Sequence, residues 1–286
     1  MSKISMDLVK ELREKTQVSM MDCKKALEEA NGSIEQAIEL LRKKGAAVAA
    51  KRASNETNNG RIEAHIADDA SEGALVELCC ETDFSANTEH MRDFAIKAAQ
   101  HAVANKASCK TSLMESAPVL QQGLDELVAK IAEKIEVKRV CRLSVNSGVV
   151  NAYIHPGSTV GVIVALNTDK DATSSRDALK ALARDICMQI AVNNPLSISP
   201  ADLDASIVAK EREIITEQLK DDKRPANILE KIIDGRINKF YEDACLLSQK
   251  FIKNDKKSIQ QHINEVSKQL GLTVTISAFQ RFSVGR

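Results

Sequence analysis

The feature that most constrains the fold is a change of hydrophobic period on either side of a polar stretch at residues 81–87. Residues 73–80 are apolar and rich in strand-forming side chains, whereas the apolar residues of 91–102 recur at helical spacing. Asn87 or Thr88 can cap the helix that follows. The chain therefore leaves a strand, turns and enters a helix within a few residues, which predicts a mixed α+β fold.

The polar stretch contains an aromatic residue, Phe84, beside the carboxylate of Asp83. A polar turn places the ring near the surface, where it is unfavourable in water. In one interpretation the ring folds back and covers the local core, as single phenylalanines usually do. In the other it is an apolar wedge on a rigid turn, shaped to enter another protein. Composition and spacing leave both interpretations open.

The composition indicates a soluble globular protein. The chain has 286 residues, 43% hydrophobic and 28% charged, which is enough for two modest domains with apolar cores. Lys plus Arg and Asp plus Glu number 40 each, aromatic residues make up 3% and tryptophan is absent. These values argue against a direct nucleic-acid interface, which normally needs a basic face or aromatic platforms. Without a membrane-length apolar run or a signal sequence, we expect a cytoplasmic protein with no membrane partner.

The seven cysteines predict neither a disulfide framework nor a metal site. None has the spacing of zinc ligands, and the adjacent Cys79 and Cys80 should point to opposite faces of a strand. We therefore expect free, reduced thiols and no metal. The chain also lacks the glycine-rich loop G-x-x-x-x-G-K-[ST], so we expect it to bind no nucleotide or other cofactor itself.

The rest of the chain predicts a helical N-terminal part and a mixed body. Residues 4–53 predict three short helices, with Ser19 and Ser33 as caps, and a polar linker follows at 54–59. The body should begin with strands at 61–67 and 74–81, a helix at 87–104, a polar crossover at 106–116 and a helix at 119–135. A hairpin of strands 138–145 and 149–154 should follow, with its turn at residues 146–148. The remaining predicted elements are helices at 177–192 and 258–270 and a strand at 273–282.

Two charged segments with thin apolar stripes predict a helical hairpin. The first helix should begin at Pro200, with Ser199 as its cap, and the second should cover residues 226–246. The turn between them falls at residues 221–225. Two helices that pair through narrow apolar stripes and expose their charged outer faces to solvent are typical of an antiparallel coiled coil.

The residues Thr82-Asp83-Phe84-Ser85 resemble the Thr-Asp-Phe-Val motif of the bacterial elongation factor Ts family, the guanine-nucleotide exchange factors of elongation factor Tu. In that family the motif is pushed into the partner's G domain and dislodges its magnesium site. The resemblance implies that Asp83 and Phe84 carry this activity. Ser85 stands where the family has valine, which leaves a smaller apolar contact for the partner.

The opening of the chain is similar to that of the same family at residues 8–13 and 20–27. The resemblance implies a ubiquitin-associated-like module that docks on a helix of the partner's G domain. The residues that it implicates in partner binding are Leu12, Met20, Met21 and Lys24. Consecutive helical residues face different directions, so at least one of the two methionines should be exposed.

A third similarity lies at residues 153–164, which resemble the family's His-x-Gly-Gly-Arg-Ile-Gly loop. His155, Gly157 and Gly161 match that pattern, and the residues between the two glycines differ from it. The resemblance implies that this loop also touches the partner.

The resemblance covers nearly the whole chain and implies its architecture. We expect an α+β protein with an N-terminal three-helix ubiquitin-associated-like module, two small α+β subdomains with antiparallel sheets, and an inserted antiparallel coiled-coil arm. The predicted boundaries are 1–53 for the docking module, 54–140 for the first subdomain, 141–198 with 250–286 for the second, and 199–249 for the arm.

The implied function is nucleotide exchange on elongation factor Tu, by a protein that is not an enzyme in the covalent sense. The implied partner is elongation factor Tu in its GDP-bound and nucleotide-free forms, in a complex that can contain two copies of each protein. Two other classes remain as alternatives. One is a cysteine-dependent enzyme that pairs a thiol with His155, and the other is an RNA-binding protein that uses Lys51, Arg52 and the basic residues of the arm.

Overall fold

The structure is a computed structural model that describes residues 4–16, 18–220, 222 and 224–285; residues 221 and 223 of the predicted turn lie outside this range. Across it the chain combines α-helices with antiparallel strands, which confirms the α+β class. The helices are α1 (Met6–Thr16), α2 (Met20–Glu29), α3 (Ile34–Lys51), α4 (Asp83–Ala86), α5 (Glu89–Ala104), α6 (Lys110–Ser116), α7 (Pro118–Ile131), α8 (Arg176–Asn193), α9 (Ala205–Gln218), α10 (Ala226–Ala244) and α11 (Ile259–Leu270). The strands are β1 (Asn59–Ile66), β2 (Glu72–Cys80), β3 (Ile135–Ser144), β4 (Gly148–Ile154), β5 (Val160–Thr168), β6 (Lys250–Phe251), β7 (Asn254–Ser258) and β8 (Val274–Ser283).

Helices α1, α2 and α3 pack around a core of their own. Ser19 caps α2 as predicted, because its hydroxyl oxygen accepts a hydrogen bond from the Asp22 amide at 3.2 Å. The buried side chains of this core include Val9, Leu12, Cys23, Leu27 and Leu41. A small helical unit thus forms at the predicted place.

Helix α3 attaches this unit to the rest of the protein by crossing α7 closely. A Cβ atom at Gly45 would lie 2.6 Å from the Asp125 carbonyl oxygen and 2.9 Å from the Ala129 Cβ atom. Arg42 also forms an ion pair with Glu126 at 2.9 Å. The three helices therefore rest on α7 instead of being joined to the body by the linker alone.

The first antiparallel sheet has the strand order β1-β2-β3, with the apolar strand β2 in the centre. Val76 and Leu78 of this strand face α5, where Met91 and Phe94 are buried in the same core. Leu75 lies on the opposite face of β2 and belongs to another core. The continuous apolar sequence of β2 is explained by burial on both of its faces.

The second antiparallel sheet has the order β4-β5-β8 and is covered by α8 and α11. Val162 and Val164 of the central strand pack with Leu182 and Ile186 of α8 and Ile263 of α11. The other faces of the two sheets meet in a shared apolar layer. That layer contains Ile62, Leu75, Val150, Ile163, Ala165 and Phe282.

The predicted hairpin around residues 146–148 is wrong. Strand β3 pairs with β2 and strand β4 pairs with β5, so the two predicted hairpin strands belong to different sheets. Each of them pairs with a central strand that is buried on both faces. Such pairing satisfies the backbone groups of the central strand, which a local hairpin would have left without partners.

The predicted polar crossover at residues 106–116 is wrong in its second half, where α6 forms. Cys109 caps this helix, with its sulfur accepting a hydrogen bond from the Ser112 amide at 3.5 Å. Leu113 is fully buried in the core of the first sheet. A single buried leucine in a polar run gives too weak a periodic signal for a helix to be recognised.

The helix predicted to begin at Pro200 starts later. Pro200–Asp202 form a short 3₁₀ helix, and α9 begins at Ala205 with Asp204 as its cap. The Asp204 carboxylate accepts a hydrogen bond from a backbone amide of the first turn at 2.8 Å. A charged acceptor at this position also interacts favourably with the helix dipole.

Helices α9 and α10 form an antiparallel pair. Val208 packs near Phe240 and Ala244, whereas Ile215, later in α9, packs with Ile237, earlier in α10. In the described part of the chain, no helix combines the length and the apolar character that crossing a membrane requires.

Candidate functional site

Helix α4 presents Phe84 to solvent directly after the end of β2. Thr82 caps the helix, because its hydroxyl oxygen accepts a hydrogen bond from the Ser85 amide at 3.3 Å. Phe84 is 84% exposed, and the neighbouring Asp83 is exposed as well. The interpretation in which Phe84 covers the local core is therefore wrong.

Hydrogen bonds within the turn and from β1 hold this single helical turn in place. The Arg61 guanidinium donates to the Ala86 carbonyl at 3.0 Å, and the Asn87 side-chain amide donates to the Asp83 carbonyl at 2.9 Å. The Asp83 carboxylate accepts from the Phe84 amide at 3.0 Å. A helix of one turn has little stability of its own, so such bonds determine where the ring points.

Ser85 faces the interior instead of a partner. It is 7% exposed, and its hydroxyl donates to Glu133 Oε1 at 2.7 Å. Thr82 donates its hydroxyl to the same oxygen at 2.7 Å and its amide to Oε2 at 3.1 Å. The small apolar contact expected at Ser85 is thus replaced by an internal hydrogen bond. No local pattern points to Glu133, because the contact with Ser85 spans 48 residues.

Glu81 joins the strand that carries α4 to the end of α3. Its carboxylate accepts hydrogen bonds from the Lys134 amide at 2.6 Å, from Arg52 at 2.9 Å and from Asn55 at 3.0 Å. These donors, the Lys134 amide above all, lower the pKa of Glu81. Sequence reasoning missed this connection for the same reason that it missed Glu133.

The predicted docking residues of the N-terminal helices differ in exposure. Leu12 is fully buried and is part of the core, so it is not available at the surface. Met21 is 66% exposed and Met20 is partly buried against the core, which confirms that at least one of the two methionines is exposed. Lys24 is also exposed, with its Nζ atom 3.9 Å from Glu28.

The loop between β4 and β5 exposes two of its three predicted residues. His155 is exposed and its Nδ1 atom lies 3.2 Å from the Tyr153 hydroxyl, while Gly157 has a φ of +89° and open space around its Cα. Gly161 is buried, and a Cβ atom there would lie 2.4 Å from the Ile62 Cγ2 atom. Gly161 therefore permits close contact between the sheets and is not a surface residue.

Consecutive residues of β1 connect this loop to α4. The Ile62 amide donates to the Ser158 carbonyl at 2.7 Å, and the Arg61 side chain donates to the Ala86 carbonyl. The loop at 155–160 and α4 therefore contact adjoining positions of one strand. The structure brings these two predicted partner-binding segments together, whereas Met21 and Lys24 lie on the surface of the separate unit formed by the first three helices.

The adjacent thiols at the end of β2 are poorly suited to nucleophilic catalysis. All seven are free, and burial raises the pKa of Cys79 to about 12 and that of Cys80 to about 11. Cys109 is exposed, and its hydrogen bonds with Ser112 lower its pKa while it caps α6. Among the residues that the structure describes, no group of three or more histidine, cysteine or acidic side chains could hold a metal ion.

Comparison with known proteins gives matches along the whole chain. The model of the family described as Elongation factor TS matches residues 81–286. An Elongation factor Ts from Prosthecochloris aestuarii is 40% identical over 292 residues, which cover 100% of both chains. One from Clostridium perfringens is 41% identical, and one from a Nitratiruptor species is 42% identical. Both of these alignments cover 99% of this chain and 93% of the relative.

Proposed function

The chain belongs to the elongation factor Ts family, the guanine-nucleotide exchange factors of elongation factor Tu, and we propose that Asp83 and Phe84 carry its exchange activity. The observation that supports this assignment is the 84% exposure of Phe84 on a helical turn that is fixed from several sides. The function is that of a translation factor, which acts on a partner GTPase and catalyses no covalent step itself.

Phe84 supplies a binding energy that is realised only in a complex. Transferring a phenylalanine side chain from water into an apolar pocket contributes about 1.5–3 kcal/mol. The free protein holds the ring in water, so this energy is available to distort the partner's nucleotide site. Asp83, on the same turn, brings a carboxylate that competes for the groups that hold the magnesium ion.

Nucleotide exchange then follows from thermodynamic linkage, because GDP and the exchange factor both bind elongation factor Tu and each changes the affinity of the other. If the factor binds nucleotide-free elongation factor Tu more tightly than the GDP form, GDP must weaken binding of the factor by the same ratio. The partner is thus bound first with GDP and then without nucleotide. We further propose that the reaction takes place in the cytoplasm, in a complex that can contain two copies of each protein.

The proposal also assigns roles to other segments of the chain. We propose that residues 1–53 are a ubiquitin-associated-like docking module whose surface includes Met21 and Lys24, and that His155 and Gly157 make further partner contacts. The arm at 199–249 is proposed as a coiled coil inserted into the second subdomain.

One proposed boundary needs adjustment. The boundary between the α+β subdomains was expected after residue 140, but β3 continues in the first sheet to Ser144. We therefore place the end of the first subdomain at residue 144, and residues 145–198 with 250–286 form the second.

The test compares Phe84→Ala and Asp83→Ala with the unchanged protein. Release of mantGDP from elongation factor Tu is followed by stopped flow at saturating factor. We expect Phe84→Ala to slow the release about 10- to 100-fold, which corresponds to the loss of a buried phenylalanine side chain. Asp83→Ala should slow it in the same direction. Because Phe84 is exposed, the free energy of unfolding should change by no more than about 0.5 kcal/mol.

Val192→Ala is the matched control, since Val192 is 68% exposed at the end of α8. It should leave both release rate and stability unchanged. Unchanged release by Phe84→Ala would refute the proposed role of the ring. A cysteine-dependent enzyme would instead lose activity on alkylation, and an RNA-binding protein would show salt-dependent RNA retention.

A further inference from the structure

Glu133 occupies the connection between α7 and β3. Helix α7 ends at Ile131, Ala132 takes a left-handed conformation with a φ of 60°, and β3 begins at Ile135. This reversal of the chain places the Glu133 carboxylate against the N-terminal end of α4.

Both oxygens of this carboxylate bind the turn that bears Phe84. Oε1 accepts hydrogen bonds from the hydroxyls of Thr82 and Ser85, each at 2.7 Å, and Oε2 accepts the Thr82 amide at 3.1 Å. Thr82 precedes and Ser85 follows the pair Asp83 and Phe84. One side chain from a distant part of the sequence therefore fixes both sides of the exposed pair, through hydrogen bonds that its charge strengthens.

The contacts of Glu133 indicate that it holds α4 in place and contributes little to the stability of the core. The sheet beneath α4 has its own buried core, which includes Val76, Leu78 and Met91. The hydrogen bonds of Glu133 with Thr82 and Ser85 end on the four-residue helix and its cap, which cannot maintain their geometry alone. Loss of the carboxylate would thus loosen the N-terminal end of α4, while Arg61 still holds Ala86 and that core stays closed.

We propose that Glu133 is a positioning residue for nucleotide exchange, which fixes the angle at which α4 presents Phe84, with Ser85 as part of the same clamp. The proposal rests on the proposed function of Phe84. It also accounts for the departure from the valine of the family motif, because a hydroxyl at Ser85 can bind the carboxylate and a valine cannot. Freeing α4 should lower the rate of GDP release in the bound complex more than it weakens docking.

The first measurement tests the clamp in the free protein. The chain has no tryptophan, so Phe84→Trp introduces a single tryptophan on α4, which is excited selectively over the two tyrosines. Glu133→Ala in this background should lower the fluorescence anisotropy of the reporter, whereas Glu115→Ala, a change at an exposed glutamate of α6, should not. Equal anisotropy in the two variants would overturn the clamp.

The second measurement tests the consequence for exchange. Glu133→Ala should reduce mantGDP release at saturating factor about tenfold, a typical coupling between contacting residues, and change the half-saturating concentration less than about twofold. Ser85→Ala and Glu133→Gln, which each retain part of the hydrogen-bonding set, should show smaller losses. Thermal melting of each variant checks that the fold is intact.

A double-variant comparison separates positioning from a purely structural effect. If Glu133 acts by positioning the ring, Glu133→Ala should slow exchange by a smaller factor in a Phe84→Ala background, where only Asp83 remains to be misplaced. The same fold-loss in both backgrounds, or exchange by Glu133→Ala equal to that of Glu115→Ala, would overturn the proposal. Normal exchange by Phe84→Ala would instead refute the proposed function, while the anisotropy would still show whether Glu133 holds α4.

Discussion

His262 of α11 is a half-buried titratable residue whose two buried ring nitrogens have no hydrogen-bond partner in the described part of the protein. Its ring stacks on that of Phe251, with centroids 4.3 Å apart, and its Nε2 atom lies 3.9 Å from Asp185. Burial, and next the charge of Lys257, lowers the pKa of His262 below its ordinary value of 6.5. Asp185 and Glu265 oppose this shift only in part.

This shift makes the stability of the protein depend on pH. Because the folded-state pKa of His262 is the lower one, the unfolded state binds the proton first, and the free energy of unfolding decreases as the pH falls from 6.5 through the folded-state pKa. The limiting slope for one proton is about 1.4 kcal/mol per pH unit. His262→Phe keeps a stacked ring without the titration, so urea denaturation should show a shallower decrease over that window. An unchanged slope would contradict this assignment.

At the same scale, the sequence predicted the exposure of some residues of the candidate site and not of others. The polar stretch correctly placed Phe84 near the surface, and the pair of methionines correctly predicted an exposed side chain at Met21 or its neighbour. Leu12 and Gly161 carry the same family resemblance and yet are buried. Their burial depends on packing against distant elements, which local period and motif do not contain.

At the level of elements, alanine should have opposite effects on stability at two glycines that lie inside helices. Gly45 lies where α3 crosses α7, and its missing side chain leaves room for the Asp125 carbonyl. Gly235 lies within α10, and a Cβ atom there would meet nothing within 4 Å. Alanine is favoured over glycine in a helix by about 1 kcal/mol.

Gly235→Ala should therefore stabilise the protein by up to about 1 kcal/mol. Gly45→Ala should destabilise it, since overpacking typically costs about 1–3 kcal/mol and outweighs the helix propensity. It should also weaken binding of elongation factor Tu while leaving the saturating release rate unchanged, because the proposed docking module shifts and α4 does not. Thermal melting and mantGDP titrations measure both effects. A Gly45→Ala protein as stable as Gly235→Ala would show that the crossing tolerates a side chain.

Elements with strong periodicity or clear end signals were predicted well, whereas the pairing of β3 with β4 was predicted wrongly. The final helix, predicted at residues 258–270, covers Ile259–Leu270, with Ser258 as its N-cap and Gly271, whose φ is 65°, as its C-cap. The hairpin around residues 146–148 failed because the choice between a near and a distant strand partner depends on which strand is buried on both faces. Which strand is buried on both faces becomes evident only from the assembled sheets.

Across the whole molecule, the last strand ties the two sheets together. Phe282 is buried in the shared layer, and the Arg139 guanidinium lies 4.6 Å from its ring centroid. Arg139 also donates to the Ser283 carbonyl at 2.9 Å and forms an ion pair with the buried Glu77. A residue near the end of the sequence is thereby linked to the central strand of the first sheet.

This linkage predicts that the two sheets unfold together. Phe282→Ala removes a ring from the shared layer, which typically costs about 3–5 kcal/mol for a buried phenylalanine. Because Arg139 packs on that ring, we expect amide hydrogen exchange to accelerate in β2 of the first sheet as well as in β5 of the second. Gln280→Ala, at an exposed position of the same strand, should leave both sheets protected. Faster exchange confined to the second sheet would show that the sheets are energetically independent, and that the shared apolar layer transmits no stability between them.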